Sequence, residues 1–265
     1  MNAAVPQGVT DEPVLLEVRD GVARVTLNRP RQFNAMSAAM IASLRATLAA
    51  IARDDAIRVV VLAGAGNAFS GGHDLKEMMA QREPAFIEGL FEQCTLAMLD
   101  MQALPQPVIA RVQGIATAAG CQLVAACDLA VAAEDARFAT SGINYGLFCA
   151  TPAVPLSRNV SRKRAFEMLV TGDFIDAATA LDWGLVNRVV PAERLDAEVV
   201  RLAESIIAKP ARVVSDGKAL FYKQIEAPLA HAYGAASKSI AANMLGPDAA
   251  EGVGAFIEKR KPRWT

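Results

Sequence analysis

Two mainly apolar runs in the chain are each followed by a glycine-rich segment and then by a helical pattern. The first run covers residues 58–62 and leads into residues 64–73. The second covers residues 107–112 and leads into residues 114–119. A mainly apolar run of this length is typical of a strand in a sheet that is covered on both faces. The two units therefore predict an α/β core in which two loops follow buried strands.

Strand and helix patterns alternate in the first part of the chain, and helices follow from about residue 152. Asp20 and Gly21 join β-like runs at residues 14–18 and 22–27, which predicts a hairpin. Ser37 is the predicted N-cap of a helix that ends near residue 53. The remaining predictions are helices from about residue 74 and at 84–103 and 120–126, a loop at 114–119, a strand at 129–132, and helices at 161–170, 176–183, 191–208, 210–222, 228–245 and 247–259. This order predicts an α/β core with a helical C-terminal extension.

The charge balance argues against a nucleic-acid partner, and the length of the apolar runs argues against membrane insertion. The 265 residues include 27 Lys and Arg and 28 Asp and Glu, which gives a net charge of −1. We therefore expect no nucleic-acid partner, because such a surface is usually basic. No apolar run reaches the ~20 residues that a membrane helix needs, so we expect no membrane insertion.

Cysteine and histidine usage argues against a metal site. The four cysteines form no C-x-x-C pair, and His73 and His231 are the two histidines of the chain. We therefore expect no metal. Residues 1–13 are polar, and we interpret them as a short disordered tail rather than a secretory signal. Reduced thiols then predict a cytoplasmic location.

The two glycine-rich segments are the candidate site. They read FSGGHDLKE at residues 69–77 and QGIATAAGCQL at residues 113–123, and each precedes a predicted helix. Backbone N–H groups are free at helix starts, and glycine lets a ligand approach the main chain. Two such groups from two loops would form an oxyanion hole. The alternative is tight packing of one loop against the other, which requires glycine as well.

The motifs resemble those of the crotonase, or enoyl-CoA hydratase/isomerase, superfamily. Residues 69–75 look like its F-x-x-G-x-D-[LI] loop, and residues 107–128 resemble its central block almost throughout. The N-terminal block at residues 29–36, the later block at 171–187 and the segment at 256–262 also match, in the same order. The resemblance covers about residues 14 to 263.

The resemblance implies a fold and an assembly. The fold would be the α/β crotonase fold, a ClpP-like spiral of β-β-α units with a helical C-terminal part that makes trimer contacts. We accordingly expect a spiral core over residues 1–195 and a helical region over residues 196–265. The expected assembly is a homotrimer, or a hexamer that forms as a dimer of trimers.

The resemblance also implies a ligand, an acyl-CoA thioester whose enolate is stabilised by the protein. The N–H groups of His73 and Ala119 would hold the thioester carbonyl. No separate cofactor is expected, because coenzyme A arrives as part of the substrate. The residues expected to line the path of coenzyme A or the substrate are Asn34, Ala35, Gly71, Gly72, Asp74, Leu75, Lys76, Gly120 and Lys259, although both lysines are also interpretable as solvated surface charges.

The chain departs from the family at the two glutamates that hydratases use. Hydration needs groups that transfer protons at C2 and C3 of the acyl chain, and the family uses two carboxylates for this. This chain has Gln122 and Gly142 at those positions. An amide cannot act as a carboxylate base, and glycine offers no side chain. The Gly-Cys-Gln-Leu string at residues 120–123 instead resembles the enoyl-CoA hydratase domain-containing branch of the family.

Three interpretations of this departure remain open at the level of sequence. In the first, the space at Gly142 accepts bicarbonate or a carboxylate of the substrate, which then acts as the base. In the second, a nearby side chain substitutes, and Thr140, Ser141, Tyr145 and Cys149 are the candidates. Cys149 is also interpretable as a small packed thiol. In the third, the protein binds acyl-CoA without catalysing a reaction.

Overall fold

The computed structural model describes residues 12–264. Residues 1–11 of the predicted N-terminal tail therefore lie outside the described residues. Within residues 12–264 the strands are, in chain order, β1 (Val14–Arg19), β2 (Val22–Leu27), β3 (Val59–Gly64), β4 (Val108–Val112), β5 (Ile115–Thr117), β6 (Leu129–Ala133), β7 (Arg137–Ala139), β8 (Ile175–Asp176) and β9 (Arg188–Val190). The helices are α1 (Ala38–Ile51), α2 (Leu75–Ala80), α3 (Pro84–Ala103), α4 (Ala119–Ala126), α5 (Ala150–Asn159), α6 (Arg162–Thr171), α7 (Ala177–Asp182), α8 (Leu195–Ile207), α9 (Ala211–Ile225), α10 (Leu229–Met244) and α11 (Pro247–Ile257). Single 3-10 turns cover Pro30–Gln32, Ser141–Tyr145 and Ala192–Arg194.

The larger sheet has the strand order β1-β2-β3-β4-β6-β9. The predicted hairpin is confirmed: β1 and β2 are antiparallel, and the turn residues Asp20 and Gly21 both have positive φ. From β2 onward each neighbouring pair is parallel. Ser37 also caps α1 as predicted, because its side chain accepts a hydrogen bond from the Met40 N–H at 3.2 Å.

A second, smaller sheet consists of β5, β7 and β8. The chain leaves β4 in the large sheet, enters β5 in the small sheet two residues later, and then begins α4. β6 and β7 repeat this change of sheet. The first change of sheet, from β4 to β5, is followed by helix α4, and the second, from β6 to β7, is followed by the 3-10 turn at Ser141–Tyr145. The candidate loops lie at this junction of the two sheets.

The prediction of an uninterrupted loop at residues 114–119 is wrong, because β5 lies inside it and pairs in parallel with β7. Three-residue strands carry no periodic pattern, so a sequence analysis based on periodicity does not detect them. The same holds for β7, β8 and β9, which have two or three residues each.

The unbroken apolar run of β3 is explained by two cores on opposite faces of the large sheet. Val60 and Leu62 point to the main core, and Val59 and Val61 point to the other, as the two-residue period of a strand requires. Leu195, Val199 and Leu202 of α8 cover the second face. The predicted division at residue 195 therefore falls where a helix of the C-terminal part packs directly on the spiral core.

A buried ion pair attaches α9 to the sheet. The Lys218 ammonium lies 2.7 Å from the Asp128 carboxylate and donates to the carbonyls of Met101 and Gln106. Tyr222, one turn further along α9, donates to the other Asp128 oxygen at 2.7 Å. Asp128 also accepts from the Val108 N–H of β4 at 2.6 Å, so it has partners in both β4 and α9. None of the helices within residues 12–264 is long and apolar enough to cross a membrane.

Candidate functional site

One buried side chain holds the loop before α1 against the loop after β3. Asn34 has no exposed surface, and its amide nitrogen donates to the carbonyls of Ala65, Ala68 and Phe69 at 2.9, 2.9 and 3.1 Å. Its amide oxygen accepts from the Arg29 N–H at 2.9 Å. The predicted contact of Asn34 with coenzyme A is therefore corrected: every polar atom of this side chain already bonds the protein.

The two glycine-rich segments are in direct contact. Ser70 forms an isolated parallel bridge with Ala116, and its carbonyl accepts from the Thr117 N–H at 3.0 Å. Gly120 lies against the same carbonyl so closely that a Cβ atom there would collide with it. Gly120 thus makes the close loop contact that the tight-packing interpretation requires, and its predicted contact with the ligand stays a prediction.

This contact brings Gly72, the residue before His73, close to Ala118 and Ala119. Gly72 has φ +92°, and a Cβ atom added to it would lie 2.9 Å from the Cβ of Ala118 and 3.3 Å from the Ala119 nitrogen. Ala119 is the first residue of α4, where backbone N–H groups lack helical acceptors and the helix dipole favours negative charge. Among the hydrogen bonds of the described residues, the N–H groups of His73 and Ala119 are not used as donors.

Ala118 carries backbone strain at the start of α4. Its φ of 50° and ψ of −117° lie in a region that residues with a Cβ rarely adopt. Such a conformation costs about 1–3 kcal/mol and persists where the surrounding structure enforces it. Here its N–H donates to the Ala139 carbonyl at 3.0 Å, and its carbonyl accepts from Gln122. The strain turns the chain abruptly from β5 into α4 just before the Ala119 N–H.

A cavity of about 410 Å³ lies beside these two residues. Its wall is formed by segments on either side of the loop contact and contains no Asp, Glu, Lys or Arg among the described residues. The lining residues are Gly71, His73, Leu75, Met78, Phe91, Ala118, Ala119, Ser141, Gly142, Tyr145, Gly146, Leu147, Phe148, Cys149, Ala150, Thr151 and Pro152. Within residues 12–264, no group of His, Cys, Asp and Glu side chains is placed to hold a metal.

The cavity wall contains some of the predicted site residues and omits others. The predicted residues that line it are His73, Ala119, Gly71, Leu75 and Gly142. The others, which lie outside the wall, are Asn34, Ala35, Gly72, Asp74, Lys76, Gly120, Gln122 and Lys259. Sequence analysis missed Met78 and Phe91, because an apolar residue that faces a cavity looks the same in sequence as one that faces the core.

Asp74 has a structural role in place of the predicted ligand contact. Its side chain caps α2 by accepting from the N–H groups of Lys76 and Glu77, and it pairs with Arg29 at 3.2 Å. The side chain of Lys76 is exposed on α2, and Lys259 follows the end of α11 with an exposed side chain. The solvated interpretation therefore fits both lysines in the isolated chain.

His73 is a neutral side chain in the cavity wall. Burial lowers the pKa of its imidazole to about 4, so the ring is uncharged at neutral pH. Its Nε2 atom is buried and has no hydrogen-bond partner among the described residues. The ring packs edge-on against Phe91 with 4.9 Å between the ring centroids. The His73 side chain thus contributes apolar surface and one unsatisfied nitrogen.

Gln122 lies one helical turn after Ala119 on α4. The side chain is 3% exposed, and its Oε1 atom has no partner among the described residues. A buried amide oxygen without a donor is costly, by about 1–3 kcal/mol, unless a water or ligand satisfies it. The amide can accept or donate a hydrogen bond, but it cannot take a proton at neutral pH.

The direction that a Cβ atom would take from Gly142 is blocked, although Gly142 itself lines the cavity. A Cβ atom on Gly142 would lie 2.7 Å from the Leu147 carbonyl oxygen and 2.8 Å from the Cys149 sulfur. The direction that a glutamate side chain would take is therefore occupied by the following turn. The use of bicarbonate or a substrate carboxylate as the base stays a prediction, because the cavity itself borders Gly142.

The four substitute side chains that the sequence suggested differ in position. Thr140 is fully buried and donates to the Met168 carbonyl at 2.7 Å, so it does not reach the cavity. Ser141 lines the cavity and shares a hydrogen bond with Thr117 at 2.7 Å. Tyr145 is 69% exposed at the edge, whereas Cys149 is 7% exposed and lies in the wall.

Comparison with known proteins identifies the family. The family model described as enoyl-CoA hydratase/isomerase matches residues 17–265. The chain belongs to the enoyl-CoA hydratase/isomerase family. The predicted crotonase fold is confirmed by an enoyl-CoA hydratase structure from Mycobacterium smegmatis, which has a TM-score of 0.94, 57% sequence identity and coverage of 95% of this chain and 98% of that one.

The predicted branch of this family is confirmed as well. The enoyl-CoA hydratase domain-containing protein 3 of Mus musculus is 45% identical over 265 residues, which is 99% of this chain and 88% of that protein. The crystal structure of human enoyl-CoA hydratase domain-containing protein 3 gives a TM-score of 0.93 at 43% identity, with coverage of 95% of this chain and 100% of that one.

The predicted cytoplasmic location is wrong by the same comparison. Relatives in this branch, the Mus musculus protein among them, are named mitochondrial. The argument from cysteines failed because reduced thiols persist in any reducing compartment and therefore do not specify the cytoplasm.

The strain at Ala118 predicts that glycine is the better residue for stability at this position. The Ala118→Gly variant should raise the free energy of unfolding by about 1 kcal/mol, since glycine adopts positive φ without the steric cost. Urea denaturation measures this difference. Ala125→Gly, in the regular part of α4, is the matched control and should lower stability by about 1 kcal/mol. A loss of stability in both variants would contradict the assignment of strain to Ala118.

Proposed function

We propose that the protein binds acyl-CoA thioesters in this cavity, with the thioester carbonyl held by the N–H groups of His73 and Ala119. The single observation that carries the proposal is that His73 and Ala119 line the same apolar cavity while neither backbone N–H donates a hydrogen bond within the described residues. Membership of the enoyl-CoA hydratase/isomerase family supports the ligand class. In this proposal coenzyme A enters with the substrate, and the protein needs no separate cofactor.

The uncharged wall supports an acyl chain without a second carboxylate. Among the described residues, no cation lines the cavity to pair with a substrate carboxylate, and burying an unpaired carboxylate is strongly unfavourable. We therefore favour a neutral aliphatic acyl chain over the dicarboxylic one that the sequence left open.

The lack of any carboxylate in the wall argues against ordinary hydration. Water must be activated at C3, and the two positions that carry the hydratase glutamates hold Gln122 and Gly142. What the site retains is the means to stabilise an enolate, which forms when a proton leaves the α-carbon of the thioester. Non-catalytic binding of acyl-CoA is the second candidate function, and the same uncharged wall favours it.

Exposed apolar side chains on the C-terminal helices support the proposed homotrimer or hexamer. Leu245 and Phe256 are 89% and 84% exposed, and Ile257 is 72% exposed. Large apolar patches of this kind mark contacts between proteins. A self-contact through α10 and α11 would cover these residues.

Blocking the cavity tests the binding proposal. The Met78→Trp variant should weaken the binding of butyryl-CoA at least about tenfold by calorimetry, because Met78 lines the cavity and a larger side chain fills it. Met79→Trp is the matched control, since Met79 neighbours Met78 on α2, is 67% exposed and lies outside the wall. Unchanged affinity in Met78→Trp would mean that acyl-CoA binds elsewhere.

Two acyl chains of the same shape test the preference for an uncharged ligand. Succinyl-CoA and 4-methylpentanoyl-CoA differ at the chain end by a carboxylate in place of an isopropyl group. We expect succinyl-CoA to bind at least about tenfold more weakly, because its carboxylate loses water without gaining a cation. Equal affinities by calorimetry would refute the preference for a neutral acyl chain and would favour the dicarboxylic interpretation instead.

Hydration of crotonyl-CoA tests the consequence of the two replacements. The protein should hydrate it at least about 100-fold more slowly than a family hydratase that retains both glutamates, because each acid–base group contributes about 10²–10⁴ in rate. Loss of the enoyl absorbance measures the rate, and the hydratase at equal concentration is the control. Comparable turnover would show that another base activates water. Gly142→Glu is unsuitable as a restoring variant, because its side chain would meet Leu147 and Cys149.

A further inference from the structure

We propose that the Cys149 thiol is the acid–base group that exchanges a proton at the α-carbon of an acyl-CoA held in the cavity. The inference rests on the proposed function and adds to it a reacting residue. Cys149 lines the same cavity as His73 and Ala119, and it is 7% exposed. A group that moves an α-proton and two N–H groups that stabilise the resulting oxyanion are the parts that enolate formation requires.

The position of the sulfur supports this role. It lies 2.8 Å from the point where the first side-chain atom of residue 142 would be placed. By the family resemblance, residue 142 carries one of the two groups that transfer protons at C2 and C3 of the acyl chain. The thiol thus occupies the direction of the missing glutamate. Cys149 belongs to the turn that folds over Gly142. In this turn the Leu147 N–H donates to the Gly142 carbonyl at 3.0 Å.

The other polar side chains of the wall are less suited to this step. The imidazole of His73 is neutral, and its lowered pKa makes it a weak base. The hydroxyl of Ser141 is committed to Thr117, and Tyr145 is largely exposed at the edge. Gln122 lies outside the wall and does not titrate. Cys149 is the remaining titratable group in the wall that is both buried and without a charged partner.

The proposed step balances without a further reactant. The Cys149 thiolate takes one proton from the α-carbon, and the C–H electron pair forms the C2=C1 bond. The carbonyl electron pair moves to the oxygen, which the N–H groups of His73 and Ala119 hold. The resulting thiol then exchanges its proton with water and returns a solvent proton to the α-carbon, which restores the thioester. In deuterated water the net result is a C–D bond in unchanged acyl-CoA.

The state of the thiol predicts how this exchange depends on pH. Burial raises the pKa of Cys149, and the Gly142 N–H lowers it by a smaller amount. The titratable groups near it are His73 and Tyr145 in the wall and the thiol of Cys121, which is itself held protonated by burial. The thiolate is therefore the minor form at neutral pH. Its fraction, and with it the exchange rate, should rise about tenfold per pH unit between pH 7 and 9.

Deuterium uptake by butyryl-CoA in deuterated water tests the proposal, with mass spectrometry as the readout. The unaltered protein should incorporate deuterium at the α-carbon, and Cys149→Ser and Cys149→Ala should each lose at least about 100-fold in rate. Cys127→Ala is the matched control, because Cys127 is a buried cysteine outside the cavity wall, and it should exchange at the unaltered rate. Calorimetry with butyryl-CoA on every protein confirms that the ligand is bound.

The outcomes separate this proposal from the function on which it rests. Exchange that is lost in both Cys149 variants while butyryl-CoA still binds supports the proposal. Exchange at the unaltered rate in either variant, or binding by the unaltered protein without any exchange, overturns it and leaves the binding function standing. Failure of the unaltered protein to bind butyryl-CoA overturns both. Absence of the rise in rate between pH 7 and 9 also counts against the thiol.

Discussion

The geometry of the site depends on one buried amide. Asn34 bonds the carbonyls of Ala65, Ala68 and Phe69 in the loop after β3 through its amide nitrogen, and it fixes the loop before α1 through its amide oxygen. Loops normally run over the surface because their backbone groups need water. Here the side chain supplies the partners that water would, so a loop can lie in the interior. His73 follows directly from this fixed segment, and its position is set before any ligand arrives.

The second loop is positioned by strain rather than by a buried side chain. Ala118 holds an unfavourable conformation because β5 on one side and α4 on the other leave no alternative path. The consequence is that the N-terminus of α4, with its free N–H groups and the positive end of its dipole, begins next to the cavity. A strained residue beside a preorganised helix start is typical of a site that stabilises negative charge.

The region around Gly142 shows that a missing side chain does not necessarily leave a vacancy. The turn at residues 145–149 folds back over Gly142 and places Cys149 in the direction that a carboxylate would take. Because residue 142 is a glycine, the described residues of the cavity wall include no formally charged side chain. The titratable buried groups of the wall are then the neutral His73 ring and the Cys149 thiol. Among the described residues, the wall therefore contains two backbone N–H groups that donate to no other residue and contains no carboxylate.

The sequence by itself determined the hairpin at Asp20, the buried strands, most of the helices and the family, because period, capping and turn chemistry are local properties. It also indicated His73 and Ala119 as site residues, and both line the cavity. Only the tertiary structure decided that Asn34 joins two loops through buried hydrogen bonds and that Gly120 packs against the Ser70 carbonyl. It also decided that the Cys149 sulfur lies where a Cβ atom of residue 142 would point. These outcomes depend on which distant segments meet, and a side chain that faces a cavity has the same local pattern as one that faces the core.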